Sequence, residues 1–173
     1  MKPGLPAWAV SGDRAHRGNL NCSIFLSEPD LEAHNNHLNS KYAAMQAAEQ
    51  RADLFETEDA EVLLVACNTP GRMAKGAVRD LRAHGIKAGL FRPVTLWPFP
   101  IDALRPLLGR ARRLVVVEAS NGQLEDEMRL AISHAGVHAP PVIDSVRRFG
   151  GILPQQEEIV ARVCALEGKG RAA

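Results

Sequence analysis

Glu118 closes the apolar run LVVVE at residues 114–118, and a carboxyl at the end of a buried strand is the acid in this chain whose position stands out. Such a group can act as a general acid or base, but its commoner role is to accept hydrogen bonds from neighbouring backbone amides. Ser120 follows two residues later without a G-x-S-x-G elbow, so it reads as a helix cap rather than a hydrolase nucleophile. His34 and His37 stand three apart on a helical pattern, a spacing that suits a metal but has no third ligand nearby; a solvated face is the better reading. His84, His134 and His138 fall near helix ends, where an imidazole complements the dipole. Cys22, Cys67 and Cys164 are far apart and none lies in C-x-x-C, so cysteines of this chain build neither structural zinc nor an iron–sulfur cluster. Neither G-x-G-x-x-G nor G-x-x-x-x-G-K-[ST] occurs, which leaves nucleotide binding by those fingerprints unsupported. No catalytic residue, metal site or cofactor bound by this chain alone is expected.

The elements that would position these groups alternate between strand and helix. Residues 61–66 (EVLLVA) form a continuous apolar run of the kind buried on both faces of a sheet. Thr69 is then a plausible N-cap, Pro70 a first helical residue, and Met73, Ala74, Ala77, Val78 and Leu81 an apolar stripe ending at Gly85. Residues 86–91 (IKAGLF) make a second strand. Ile101, Leu104, Leu107, Leu108 and Ala111 suggest a helix that Pro106 delays or kinks. Residues 114–118 are a third strand, residues 120–123 (SNGQ) fit a capping box, and Leu124, Met128, Ala131, Ile132 and Ala135 form the next stripe. A short strand at 141–143 and a helix over 154–166 complete the series. Strands alternating with helices of this length imply a three-layer α/β sandwich with a mainly parallel sheet over residues 58–168. Ahead of it, residues 1–27 read as an extended arm and residues 28–57 as a polar helix with a thin stripe of Leu31, Leu38, Tyr42, Met45 and Ala48. Residues 1–57 are thus a connector, and 169–173 a tail.

Of the 173 residues 46% are hydrophobic, enough for one core-forming domain and an appendage. The net charge is +1 with interleaved signs, which supplies no one-signed field for nucleic acid or anionic membrane. No run approaches the roughly 18 apolar residues of a membrane span, and the first residues lack a secretory apolar core, so a cytoplasmic location is expected.

Residues 90–100 (LFRPVTLWPFP) hold three prolines, two phenylalanines and a tryptophan, although aromatic residues make up only 5% of the chain. The prolines exclude a regular helix or inner strand and stiffen the loop. Two readings stand for Trp97 and Phe99: they pack against a partner at small entropic cost, or they fold back over their own sheet end. Arg92, between strand and loop, either faces an acidic partner group or forms a surface salt bridge.

The succession EVLLVA, helix, GIKAGLFRPVTLWPFP, helix, LVVVEASNGQLEDEMR resembles the carboxy-terminal, transketolase-like domain of the alpha subunit of 2-oxoacid:ferredoxin oxidoreductases. The upstream PAWAVSGD and LSEPDLEAHNNHLNSKY are similar to the connector of the ketoisovalerate, or branched-chain, type of that subunit. The resemblance implies CoA-dependent oxidative decarboxylation of a 2-oxoacid by a complex using thiamine diphosphate, magnesium and iron–sulfur clusters. The segments expected to bind them, including a pyrimidine-binding domain ahead of Pro6, do not occur in this sequence. The chain is therefore expected to serve as a structural and interface domain of such an enzyme, inactive alone, with a pyrimidine-binding domain and the beta and gamma subunits as partners. Arg92, Trp97, Phe99, Glu118, Asn121 and Gln123, in the most family-specific segments, are the expected interface residues. Two alternatives remain: an interaction or regulatory module that keeps the fold without the activity, and a small-ligand binder at the strand ends, which the lack of a phosphate-binding glycine loop disfavours.

Overall fold

A computed structural model describes residues 4–169, so residues 170–173 of the expected tail lie outside the described residues. The chain falls into two compact units, Met1–Ala44 and Met45–Ala173. In the first, an extended stretch carries one turn of 3-10 helix, Arg14–His16, capped by Asp13, which accepts from the Ala15 and His16 N–H groups. The Asn19 amide donates to the carbonyls of Ala7 and Ala9 at 2.6 and 2.9 Å. Phe25 stacks on His34, with ring centroids 4.5 Å apart. Helix α1, Glu28–Ala48, starts here and buries none of its residues.

The polar helix expected to reach residue 57 stops at Ala48, and a strand that the sequence reading missed follows: β1, Ala52–Phe55. Long-range bonds stop the helix. The Gln50 amide donates to Asp102, and its carbonyl accepts from the Asp102 N–H, both at 3.0 Å. The Arg51 N–H donates to Thr95 Oγ1 at 3.1 Å, which leads the chain into an antiparallel pair with β3.

The remaining strands are β2 (Val62–Val65), β3 (Ala88–Pro93), β4 (Arg113–Glu118) and β5 (Val142–Arg147). They order as β1-β3-β2-β4-β5, all parallel except β1. Helices α2 (Asn68–Ala83), α3 (Ile101–Leu108), α4 (Gln123–His134) and α5 (Gln156–Leu166) connect and flank them. Strand side chains alternate between two cores. Val62, Leu64, Leu90, Val115 and Val117 meet α2 and α5, whereas Leu63, Val65, Phe91, Leu114 and Val116 meet α3 and α4. This is the expected three-layer α/β sandwich, and it explains why β2 and β4 read as unbroken apolar runs.

Three local expectations shift. Helix α2 begins at Asn68, so Thr69 lies inside it, and Cys67 occupies the cap position without a side-chain bond. Helix α3 starts at Ile101 despite Pro106; the N–H that proline lacks would have reached only the first turn of this eight-residue helix. The capping box at residues 120–123 does not form: Gly122, at φ 106°, is the N-cap of α4 and provides no side chain.

Candidate functional site

Strands β2 and β4 lie side by side at the centre of the sheet, yet the chain leaves β2 for α2 on one face and leaves β4 for α4 on the other. The two connections diverge and open a crevice at the carboxyl ends of the strands, the place where open α/β sheets take their ligands. Its volume is about 580 Å³. Cys67, Asn68, Thr69 and Pro70 line it from the start of α2, and Glu118, Ala119, Ser120, Gln123, Leu124 and Glu127 from the β4–α4 turn. Leu96, Trp97 and Leu153 add apolar side chains from two further loops.

Glu118 is only 2% exposed. Its Oε2 accepts from the Ser120 hydroxyl at 2.5 Å and from the Leu124 N–H at 3.0 Å. The carboxyl from the strand end thus caps α4, and Ser120 donates to that carboxyl instead of capping the helix itself. A negative group at a helix N-terminus also suits the dipole. Oε1 is equally buried but accepts no hydrogen bond among the described residues; the nearest cation is Arg147 Nε, 3.8 Å away. Arg147 is held by β4–β5 pairing directly opposite Glu118 and commits its Nη2 to Glu125 at 2.5 Å. Gly122 makes room for that guanidinium, because a Cβ there would sit 3.1 Å from it. Burial pulls the Glu125 carboxyl upward, but hydrogen bonds from Arg147 and Arg129 outweigh it and hold Glu125 below the ordinary carboxylate range. Burial pushes the Cys67 thiol up, and the nearby Glu118 charge adds to the effect, so Cys67 stays a neutral thiol.

The crevice brings together Trp97, Glu118 and Gln123 of the expected residues. Trp97 is 47% exposed, and Gln123 and Asn121 are exposed. Phe99 is 5% exposed and packs against Phe91 with centroids 6.1 Å apart, so of the two readings for this side chain the fold selects self-packing. Glu118 is likewise buried in its own chain and presents no surface to a partner. Arg92 pairs with exposed Asp53 at 3.0 Å, the surface salt bridge weighed as an alternative. The sequence reading missed Arg147 and Leu153. Both enter through β5 and the loop after it, and no local pattern ties them to Glu118 or Trp97.

Among the described residues no group of three or more histidine, cysteine, aspartate or glutamate side chains is placed to hold a metal ion. Nor is any helix among them long and apolar enough to cross a membrane.

Residues 60–159 match the family described as pyruvate:ferredoxin oxidoreductase core domain II. The ketoisovalerate oxidoreductase subunit VorB of Methanothermobacter marburgensis is 39% identical over 163 residues, 94% of this chain and 45% of that protein. The 2-oxoglutarate synthase subunit KorA of Methanocaldococcus jannaschii is 36% identical over 104 residues, 60% of this chain and 26% of that one. The chain therefore spans less than half the length of these relatives. Among solved structures, the 2-oxoglutarate:ferredoxin oxidoreductase of Magnetococcus marinus aligns with a TM-score of 0.65 at 22% identity, covering 87% of this chain and 25% of that one. At that identity the likeness concerns the fold. The match across residues 60–159 covers more than half of the chain and the whole of the crevice, and the chain belongs to the pyruvate:ferredoxin oxidoreductase core domain II family.

Proposed function

We propose that this chain is a structural and interface domain of a 2-oxoacid:ferredoxin oxidoreductase, the part of the alpha subunit that packs against the thiamine-binding machinery and does not turn over substrate alone. The observation that carries the reading is apolar surface with no core to enter: Trp8, Leu20 and Leu26 are 69%, 83% and 86% exposed. Exposed side chains of this size, gathered in one short unit, mark a surface that another protein covers. Likeness to VorB over 94% of the chain supports the same reading and favours a branched-chain 2-oxoacid as the substrate of the assembly. In this account residues 1–57 are the connector, with β1 contributed to the sheet edge, and residues 58–168 are the domain proper. Arg92, Trp97, Asn121 and Gln123 are its partner-facing residues. Thiamine diphosphate, magnesium, iron–sulfur clusters and CoA are held by other domains and by the beta and gamma subunits, in the cytoplasm.

The test is to purify the tagged chain from the cells that encode it and assay the material for CoA- and thiamine-dependent oxidation of 2-oxoisovalerate. Recovery with thiamine-binding and iron–sulfur subunits, and with activity, is expected. Recovery of the chain alone, with no activity, would overturn the proposal and leave a module that keeps the fold without the enzyme.

A further inference from the structure

The sheet ends at β1, whose outer edge pairs with no strand among the described residues. The Val94 N–H donates to the Arg51 carbonyl at 2.9 Å, which sets the alternation of the antiparallel ladder. Asp53 and Phe55 turn their backbone groups toward β3, and Ala52 and Leu54 turn theirs outward. Such an edge is a template for one more strand.

The charge beside this edge is a row of one sign. Arg72, Lys75 and Arg79 follow one another at spacings of three and four on α2, and all three are exposed. Lys75 Nζ lies 4.6 Å, and the guanidinium carbon of Arg79 5.5 Å, from the centroid of the Phe55 ring. The row is thus fastened to β1 by cation–π contacts and not by carboxylates. Ion pairs on this flank of the described residues use Arg82, Lys87 and Arg92 and none of the row. Like charges at these spacings destabilise a helix, a penalty that an anion laid against the row would remove. Between row and edge runs a groove of about 960 Å³, with Asp53, Phe55 and Arg92 on the sheet side and Arg72 and Lys75 on the helix side. The acid among them, Asp53, is already paired with Arg92.

A strand added to β1 would place its side chains alternately on the two faces of the sheet. One set, level with Asp53 and Phe55, would lie over the groove and meet the cations. The other, level with Leu54, would meet a leucine side chain that is 48% exposed. Antiparallel pairing with a second copy of this chain would bring two cationic rows together, so the edge selects an occupant of opposite sign.

We propose that the β1 edge and the cationic row of α2 dock an extended acidic segment of another subunit. The segment extends the sheet beyond β1, with acidic side chains toward Arg72, Lys75 and Arg79 and apolar ones toward Leu54. The inference rests on the interface reading for the partner being a subunit, and adds where that partner binds and by what chemistry. Its test uses a synthetic strand in place of the subunits, so failure here is distinguishable from failed co-purification.

The experiment titrates the full chain with a labelled peptide that alternates glutamate and valine, read by fluorescence anisotropy, with hydrogen exchange at the Leu54 amide read by NMR. Saturable one-to-one binding that slows exchange at Leu54 and weakens on addition of salt is expected. Arg72→Glu combined with Lys75→Glu, both at exposed positions, should weaken binding at least about tenfold. A peptide with lysine in place of glutamate should not bind. Leu54→Pro removes an outward N–H without taking a bond from the β3 ladder, and should weaken binding by a similar factor. Should that variant fail to fold by circular dichroism, the glutamate–valine peptide N-methylated at every residue, which cannot pair, replaces it. Absence of saturable binding below about 1 mM, equal binding of the N-methylated peptide, or unchanged affinity in the charge-reversed chain would each overturn the inference. So would tripolyphosphate binding where the peptide does not, which would mark a small-anion groove, or a dimer that Leu54→Pro dissolves, which would mark a self-pairing edge.

Discussion

Helices α1 and α2, of 21 and 16 residues, are the longest in the chain and are built on opposite terms. Helix α2 buries Pro70, Gly71, Ala74, Ala77, Val78 and Leu81, one face at spacings of three and four, against the sheet and α5. Helix α1 buries nothing, although it is the longer. Isolated helices are marginal in water even when rich in good helix formers, and most helical stability in proteins comes from packing an apolar face. The difference teaches that α2 is a product of this chain's own core, whereas α1 has local propensity and a surface still to be covered.

The sharpest way to break the comparison is in α2. Leu81 is fully buried in the cluster with Val78, Ile86 and Ala88. Leu81→Ala removes its packing and leaves a cavity, and should cost about 3 kcal/mol, within the usual range for such deletions, read from urea unfolding with an unchanged slope. A cost below about 1 kcal/mol would mean that α2 is no better anchored than α1.

The sheet edge next to α2 offers a second test. Gly89 in β3 has no room for a side chain: a Cβ would lie 2.6 Å from the Glu56 carbonyl oxygen and 2.9 Å from Ala60 Cβ. The obstacle is backbone, which cannot rotate aside, so Gly89→Ala should destabilise by about 2 kcal/mol and show in the same unfolding assay. A neutral result would show that the segment joining β1 to β2 is loosely held.

Burial on both faces made the central sheet legible in the sequence. Residues 62–66 and 114–117 are unbroken apolar runs because each of their successive side chains enters one of two cores. Four-residue β1 lacks that signal, since Asp53 and Leu54 are exposed, and only its pairing with β3 makes it a strand. At the crevice, the strand-end position of Glu118 and its bond to a backbone amide were readable. Its replacement of Ser120 as the cap was not, because local pattern cannot choose between two acceptors of one helix end. Arg147 became visible only through the β4–β5 register, and Phe99 through the return of its loop onto Phe91.

A smaller effect, set by pH, separates the buried Glu125, paired with Arg147 and Arg129, from the surface salt bridges. The Glu125 carboxyl lies lower when folded than the ordinary value of about 4.3. The folded state therefore binds fewer protons: the stabilisation is fully present above that value and is lost as pH falls through the lowered one. Glu125→Gln should cost about 1 kcal/mol at neutral pH and flatten the fall in stability on acidification. An exposed pair such as Arg92 with Asp53 should contribute little to stability at neutral pH, as Asp53→Asn would show.

The smallest effect belongs to α1. Leu31 is on its apolar stripe but exposed, so Leu31→Ala exchanges one good helix former for another without opening a cavity. It should change unfolding free energy by less than about 0.5 kcal/mol, against about 3 for Leu81→Ala. If α1 and the arm are the surface that other subunits cover, the same substitution should weaken recovery of those subunits with the tagged chain while leaving its urea midpoint in place. A shift in midpoint as large as that of Leu81→Ala would instead mean that α1 is held within the chain, and that the contrast between the two helices is one of exposure alone.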